Sequence, residues 1–238
     1  MTKIEWEGIL PLNKPKGKTS FSLVSILRKL SGIRKIGHTG TLDPLATGVM
    51  VMLIGKSYTR LASVFLEQDK EYLAKICLGA STDTFDSEGR ILQTCERIPT
   101  LSEITQVLAL FQGTVLQMPP MYSAKKIRGK KLYELARKGI EIDRPAVKVE
   151  IKLDLLSYQY PYLDVYVICS KGTYVRSIAH DLGSHLGVGA HLTELTRTRL
   201  GHFLLKDCLN VSELSREDLI IKPFKELPLN KLSNKGLL

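Results

Sequence analysis

The chain has 238 residues, enough for one large domain or one domain with a small appendage, and 44% hydrophobic with 24% charged residues excludes global disorder. Its formal charge of +10 and pI near 9.4 point to a polyanionic partner. Cys77, Cys95, Cys169 and Cys208 are widely spaced with no C-x-x-C pair, a reducing-compartment pattern without a zinc site. Met1 to Gly8 carries charges and no apolar signal core, and no apolar run approaches the ~20 residues of a membrane span, so a cytoplasmic protein with no membrane partner is expected.

Gly8 to Gly17 reads as a short strand entering a Pro/Gly turn. A helix follows, with Ser20 near its N-cap, Leu23, Leu27 and Leu30 on one face, and Gly32 past its end. The stretch Gly37-His38-Thr39-Gly40-Thr41-Leu42-Asp43-Pro44-Leu45-Ala46-Thr47-Gly48 is poor core material and well suited to a rigid loop. Pro44 restricts Asp43 to extended conformations, so one carboxylate is mounted on a stiff segment. The same Asp-Pro pair also fits an ordinary helix start, with Asp43 as N-cap. Val49 to Ile54 suits a strand buried on both faces. Gly55-Lys56-Ser57 is not a P-loop, because the required earlier glycine is Met50, and no nucleotide cofactor is expected.

Glu71 to Gly79 reads as a strand with Tyr72 at its entrance. Asp83, Asp86, Glu88 and Gly89 lack the spacing of a calcium loop and suit a hairpin. Thr100-Leu101-Ser102-Glu103 is a capping box opening a helix that Gly113 ends. Residues 122–148 hold nine lysines and arginines, among them Lys125, Lys126, Arg128, Lys130 and Lys131, against three carboxylates, with Tyr122 and Tyr133 interleaved. That composition fits a phosphate backbone with unstacked bases, and equally an exposed charged helix. Val147 to Leu155 alternates as a half-buried strand, and Tyr162 to Ser170 is a second. A helix then carries Val175, Ile178, Leu182 and Leu186 to about Gly187. Arg176 lies in its first turn, where the helix dipole disfavours a cation, so it is either an ordinary surface arginine or the holder of a specific anion. His180, His185, His191 and His202 form no metal-binding pattern, and no metal is expected. Leu195 to Arg199 is a further basic, strand-like piece.

Several blocks together closely resemble the TruB family of tRNA pseudouridine synthases. They are the glycine-rich loop, Gly8 to Gly17 with Lys14-Pro15, Lys70-Glu71-Tyr72, Met118 to Lys125, Gly129 to Arg137, Cys169 to Arg176, and Gly189 to Leu192. The resemblance implies an α+β pseudouridine synthase core: a mixed, largely antiparallel sheet flanked by helices, with a basic insertion at 122–148. It implies isomerisation of uridine to pseudouridine at position 55 in the T arm of tRNA, by base flipping and without a cofactor. Asp43 corresponds to the nucleophile and Arg176 to its partner cation. Tyr72 corresponds to the ring stacked on the flipped base, and His38, Tyr174 and Leu195 to substrate contacts. Lys14, Lys125, Lys126, Arg128, Lys130 and Lys131 are expected along the RNA backbone. A monomer with its catalytic domain at 1–210 and a tail at 211–238 is expected, the family's C-terminal RNA-binding domain of the PUA type being absent or a remnant. The rival reading is a non-catalytic tRNA-binding or tRNA-folding protein, which leaves Asp43 without a task.

Overall fold

The computed structural model describes residues 7–127 and 129–215. The chain forms two compact units, one from residues up to Lys70 together with those from Thr196 onward, the other from Glu71–Leu195.

The first unit opens with strand β1 (Gly8–Lys14), helix α1 (Ser20–Ser31), strands β2 (Ile36–His38) and β3 (Thr47–Ile54), and short helices α2 (Lys56–Thr59) and α3 (Ala62–Leu66). Thr19, not Ser20, caps α1, its side chain accepting from the Ser22 amide, and Gly32 closes the helix at φ 77°. Leu23, Val24 and Leu27 form the buried stripe of α1. β3 is buried from Gly48 to Ile54, as its unbroken apolar run predicts. It pairs antiparallel with β1 and β2. Ile9, Val49, Val51, Leu53 and Phe65 pack in one cluster with Leu200 and Phe203; each such side chain removed from water stabilises by about 1.5–3 kcal/mol. The first turn of α2 shows what the Gly-Lys-Ser triplet does: the Lys56 and Ser57 amides donate to the Glu7 carboxylate at 2.7 and 3.3 Å.

The second unit contains β4 (Lys70–Leu78), a hairpin of β5 (Ala80–Thr82) and β6 (Ile91–Thr94), α4 (Leu101–Ala109) and β7 (Gly113–Gln117). A small hairpin of β8 (Lys126–Ile127) and β9 (Lys130–Lys131) leads into α5 (Leu132–Ala136). Then come β10 (Val147–Gln159), β11 (Tyr162–Cys169), α6 (Val175–His185) and β12 (Ala190–Leu200). β10 pairs antiparallel with β11 and with β7, burying Val149, Ile151 and Leu153 on its alternate face. The strand order here is β12, β4, β11, β10, β7. The Thr100–Glu103 capping box opens α4, as its sequence predicts.

β12 carries the chain back into the first unit at Thr196. There Thr196 and Arg197 pair in parallel with Thr47 and Gly48. β13 (Phe203–Leu204) and β14 (Leu209–Asn210) complete that unit, β14 lying parallel to β1. Both divisions between the units fall next to or inside strands, so no shift in composition marks them. The fold is α+β on mixed, largely antiparallel sheet. No described helix is long and apolar enough to cross a membrane.

Candidate active site

In the first unit, Asp43 sits in a β-turn, its carbonyl accepting from the Ala46 amide at 3.1 Å, and no helix starts there. The segment is fastened on both sides of the carboxylate. Before it, the Leu42 amide donates to Ser20 Oγ at 2.9 Å, and the Ser20 hydroxyl donates back to the Leu42 carbonyl at 3.1 Å. After it, the Pro44 carbonyl accepts from the Gly17 amide at 2.8 Å and from Lys14 Nζ at 3.3 Å. Leu42, Leu45 and Ala46 are buried while Asp43 is half-buried, so apolar anchors carry one polar side chain between them.

Lys14 overturns an expectation. It is 0% exposed, and its ammonium also donates to the carbonyls of Pro15 and Lys18 at 3.0 and 2.6 Å. A cation enclosed by carbonyls braces the turn from beneath and is not presented to an RNA backbone.

Arg197 is the residue of this unit that sequence reasoning left unassigned. It is 1% exposed, and its Nε donates to the Val49 carbonyl at 2.6 Å while Nη2 lies 3.4 Å from the Gly40 carbonyl. The side chain thereby ties the glycine-rich loop at Gly40 to β3. Gly48, at φ 102°, lies so close to the Arg197 backbone that a β-carbon would collide with it. His38, on β2 opposite Met52, has its pKa lowered by burial and by the Arg197 charge, and its Nδ1 is buried without a hydrogen-bond partner. The imidazole is held neutral.

In the second unit, Arg176 is 5% exposed and is no surface arginine. Nη1 donates to the Thr84 carbonyl at 3.1 Å and lies 3.5 Å from Asp86 Oδ2, and Nη2 donates to the Tyr122 carbonyl at 2.8 Å. Asp86 is itself 3% exposed and accepts from Thr84 Oγ1 at 2.6 Å and from the Glu88 amide at 3.0 Å. The hairpin expected at 83–89 is present, but which of its carboxylates is buried carries no sequence mark.

Tyr174 precedes α6, and its backbone is bracketed by the Gln117 side chain, which accepts from its amide at 2.7 Å and donates to its carbonyl at 3.1 Å. Ser177 Oγ donates to the Met118 carbonyl at 3.1 Å. The start of α6 is thus stitched to residues 117–122. Tyr72 is buried at 6% exposure on β4, and Leu195 at 7% on β12.

In the basic insertion, Lys126 and Lys130 are exposed on the β8–β9 hairpin, and Lys125 and Lys131 are half-buried beside it. Arg128 lies outside the described residues. Buried Leu132 anchors the segment, and Lys131 and Arg137 cover the Tyr133 ring at 5.3 and 5.4 Å. The insertion is therefore a hairpin plus a short helix. His180 stacks on Phe85, while His185 Nδ1 and His191 Nδ1 each lie 2.8 Å from a backbone carbonyl, of Asp181 and Ala80. Cys208 has its thiol pushed up to about 12 by burial and by neighbouring Asp207.

The first unit thus mounts a half-buried carboxylate on a fastened turn, and the second holds a buried guanidinium against one carboxylate and two backbone carbonyls. Solved structures similar to this chain include a Cbf5-Nop10-Gar1 complex (29% identical, TM-score 0.66) and an H/ACA RNP bound to a substrate RNA containing 2'-deoxyuridine (28%, TM-score 0.63). Each match covers 87% of this chain but only about half of the other, 53% and 52%. These define the class as the pseudouridine synthase fold.

The TruB family pseudouridylate synthase N-terminal domain matches residues 28–175, and the tRNA pseudouridylate synthase B C-terminal domain matches 176–231. The chain is 62% identical over 208 residues to the tRNA pseudouridine synthase B of Protochlamydia amoebophila (strain UWE25), covering 87% of this chain and 79% of that one. To its counterpart in Chlamydia felis (strain Fe/C-56) it is 53% identical over 218 residues, covering 92% and 93%. The chain belongs to the TruB family of pseudouridylate synthases, and it is an isomerase.

Proposed function

We propose that this chain converts uridine 55 in the T arm of tRNA to pseudouridine, with Asp43 as the nucleophile. The C1′–N1 glycosidic bond breaks, the uracil turns over, C1′ bonds to C5, and the C5 proton is lost as N1 regains one. Nothing is oxidised and no group leaves the molecule. A carboxylate serves either by bonding covalently or by stabilising charge as the bond breaks. The observation that carries this reading is the turn at Asp43, fastened through Leu42 and Pro44 on either side of the acid.

The remaining roles follow the family. Arg176 keeps the nucleophile ionised, Tyr72 stacks on the extruded base, and His38, Tyr174 and Leu195 contact the substrate. A neutral His38 suits a hydrogen-bonding role better than a phosphate-pairing one. The exposed cations of the insertion, Lys126 and Lys130 with Lys125, Lys131 and Arg128, follow the RNA backbone. The protein acts as a monomer.

Tritium release from C5-labelled uridine in a T-arm RNA tests the assignment. Wild type should release tritium and Asp43→Asn should not; equal release by both would remove Asp43 from the chemistry. No release by either, with tight binding retained, would favour the RNA-folding alternative. Neutralising Lys126 and Lys130 together should weaken binding and flatten its dependence on salt.

A further inference from the structure

We propose that the Phe85–His180 stack is a positioning device for Arg176, holding a strained turn in the shape that presents two acceptors to one guanidinium. The functional weight of this inference rests on the role given to Arg176 above.

The geometry starts at residue 85. Phe85 has φ 65°, the sole positive value among the described residues other than glycine. A bulky aromatic residue is strained there, and such strain persists only where surrounding contacts impose it. The two residues flanking it are the ones that grip Arg176: the Thr84 carbonyl on one side and the Asp86 carboxylate on the other. The torsions of residue 85 set where that carbonyl points relative to the Asp86 backbone, from which the carboxylate reaches out. With φ in its ordinary negative range the two acceptors would diverge.

Two sets of contacts impose the strained form. Along the backbone, the Phe85 amide donates to the Thr82 carbonyl at 3.3 Å, the Leu192 amide to the Phe85 carbonyl at 3.0 Å, and the Ser87 amide to the Leu192 carbonyl at 2.9 Å. At the side chain, the Phe85 ring lies 3.8 Å from the His180 ring, centroid to centroid, with 13° between their planes. His180 stands four residues after Arg176 on α6, so both side chains leave one face of the helix. One helix face therefore holds the turn at its centre through a ring and at both flanks through a guanidinium. His180 Nδ1 is buried without a hydrogen-bond partner, so the imidazole offers a flat surface here and no bond from that nitrogen.

The test combines three measurements on the full chain. They are the single-turnover rate of pseudouridine formation at saturating T-arm RNA, RNA affinity by filter binding, and the 1H–15N signal of Arg176 Nε, assigned by its loss in Arg176→Lys. His180→Ala should slow the chemical step about tenfold while leaving affinity within about twofold, and should broaden the Nε signal. His180→Phe keeps a ring to stack and should restore both rate and signal. Phe85→Asn, which tolerates positive φ but has no ring, should behave like His180→Ala and covers the case in which that variant does not fold.

Wild-type rates and a sharp Nε signal in His180→Ala or Phe85→Asn would overturn the proposal. So would a folded His180→Phe as impaired as His180→Ala, which would mean that the imidazole itself is used. If the wild-type chain made no pseudouridine, the catalytic reading would fall, and the Nε signal would still decide whether the stack holds Arg176.

Discussion

Replacing Ser20 by alanine tests whether the carboxylate of Asp43 is held by design. Ser20 is 3% exposed and sits at the start of α1, and its hydroxyl both accepts from and donates to Leu42, the residue before Asp43. Removing it strands the buried Leu42 amide, which costs about 1–3 kcal/mol, and forfeits a donated bond worth about 0.5–1.5 kcal/mol. The expected total is ~2–4 kcal/mol, or about 5–10 °C in Tm for a chain of this size. Ser22→Ala is the control: its hydroxyl donates to the Thr19 carbonyl at 2.7 Å on the same helix but is exposed, and its loss should stay within about 0.5 kcal/mol. Urea titration followed by circular dichroism gives both values, and kcat on T-arm RNA should fall for Ser20→Ala alone. A Ser20→Ala protein within 0.5 kcal/mol of wild type, at unchanged kcat, would refute the claim that this hydroxyl fixes the turn (~0.5 kcal/mol being the ordinary scatter of surface changes).

Gly48→Ala should be the most damaging small change in the first unit, because its φ of 102° and the adjacent Arg197 backbone leave no room for a β-carbon; a loss of about 3 kcal/mol or more, or no soluble protein, is expected on expression and melting. Asp181 has its carboxyl pushed up to about 6 by burial. The folded state thus holds that proton more tightly than the unfolded chain, so the contribution of this one group is fully present below about pH 4 and is lost as pH climbs through about 6. Asp181→Asn should accordingly raise stability near neutral pH by on the order of 1 kcal/mol after screening at this partly buried site, and do nothing near pH 3; denaturation curves across that range decide. Thr100→Ala should cost about 1 kcal/mol through loss of the α4 capping box, read from chemical melts, while kcat on T-arm RNA stays unchanged.

Local patterns carried much of the fold. The alternation at Val147 to Leu155, the apolar run at Val49 to Ile54 and the Thr100–Glu103 box each became the element that its periodicity or capping chemistry implies, because those signals act over a few residues. The site was only partly legible in the same way. Asp43 stood out because proline and glycine shape a turn whatever surrounds it. Lys14 was misread because a lysine in a Pro/Gly turn looks solvent-facing until carbonyls from Pro15, Lys18 and Pro44 are seen to close over its ammonium.

Composition, charge and short motifs by themselves determined the class of partner, the α+β elements and the acid on its rigid turn, since each depends on neighbours in the chain. Only the tertiary structure decided which charges are enclosed. Arg176 meets Asp86 at a sequence separation of 90 and Arg197 reaches Val49 at one of 148, and no local pattern encodes contacts between residues that far apart. The cost of burying a guanidinium is met by carbonyls and carboxylates that the fold alone brings within reach.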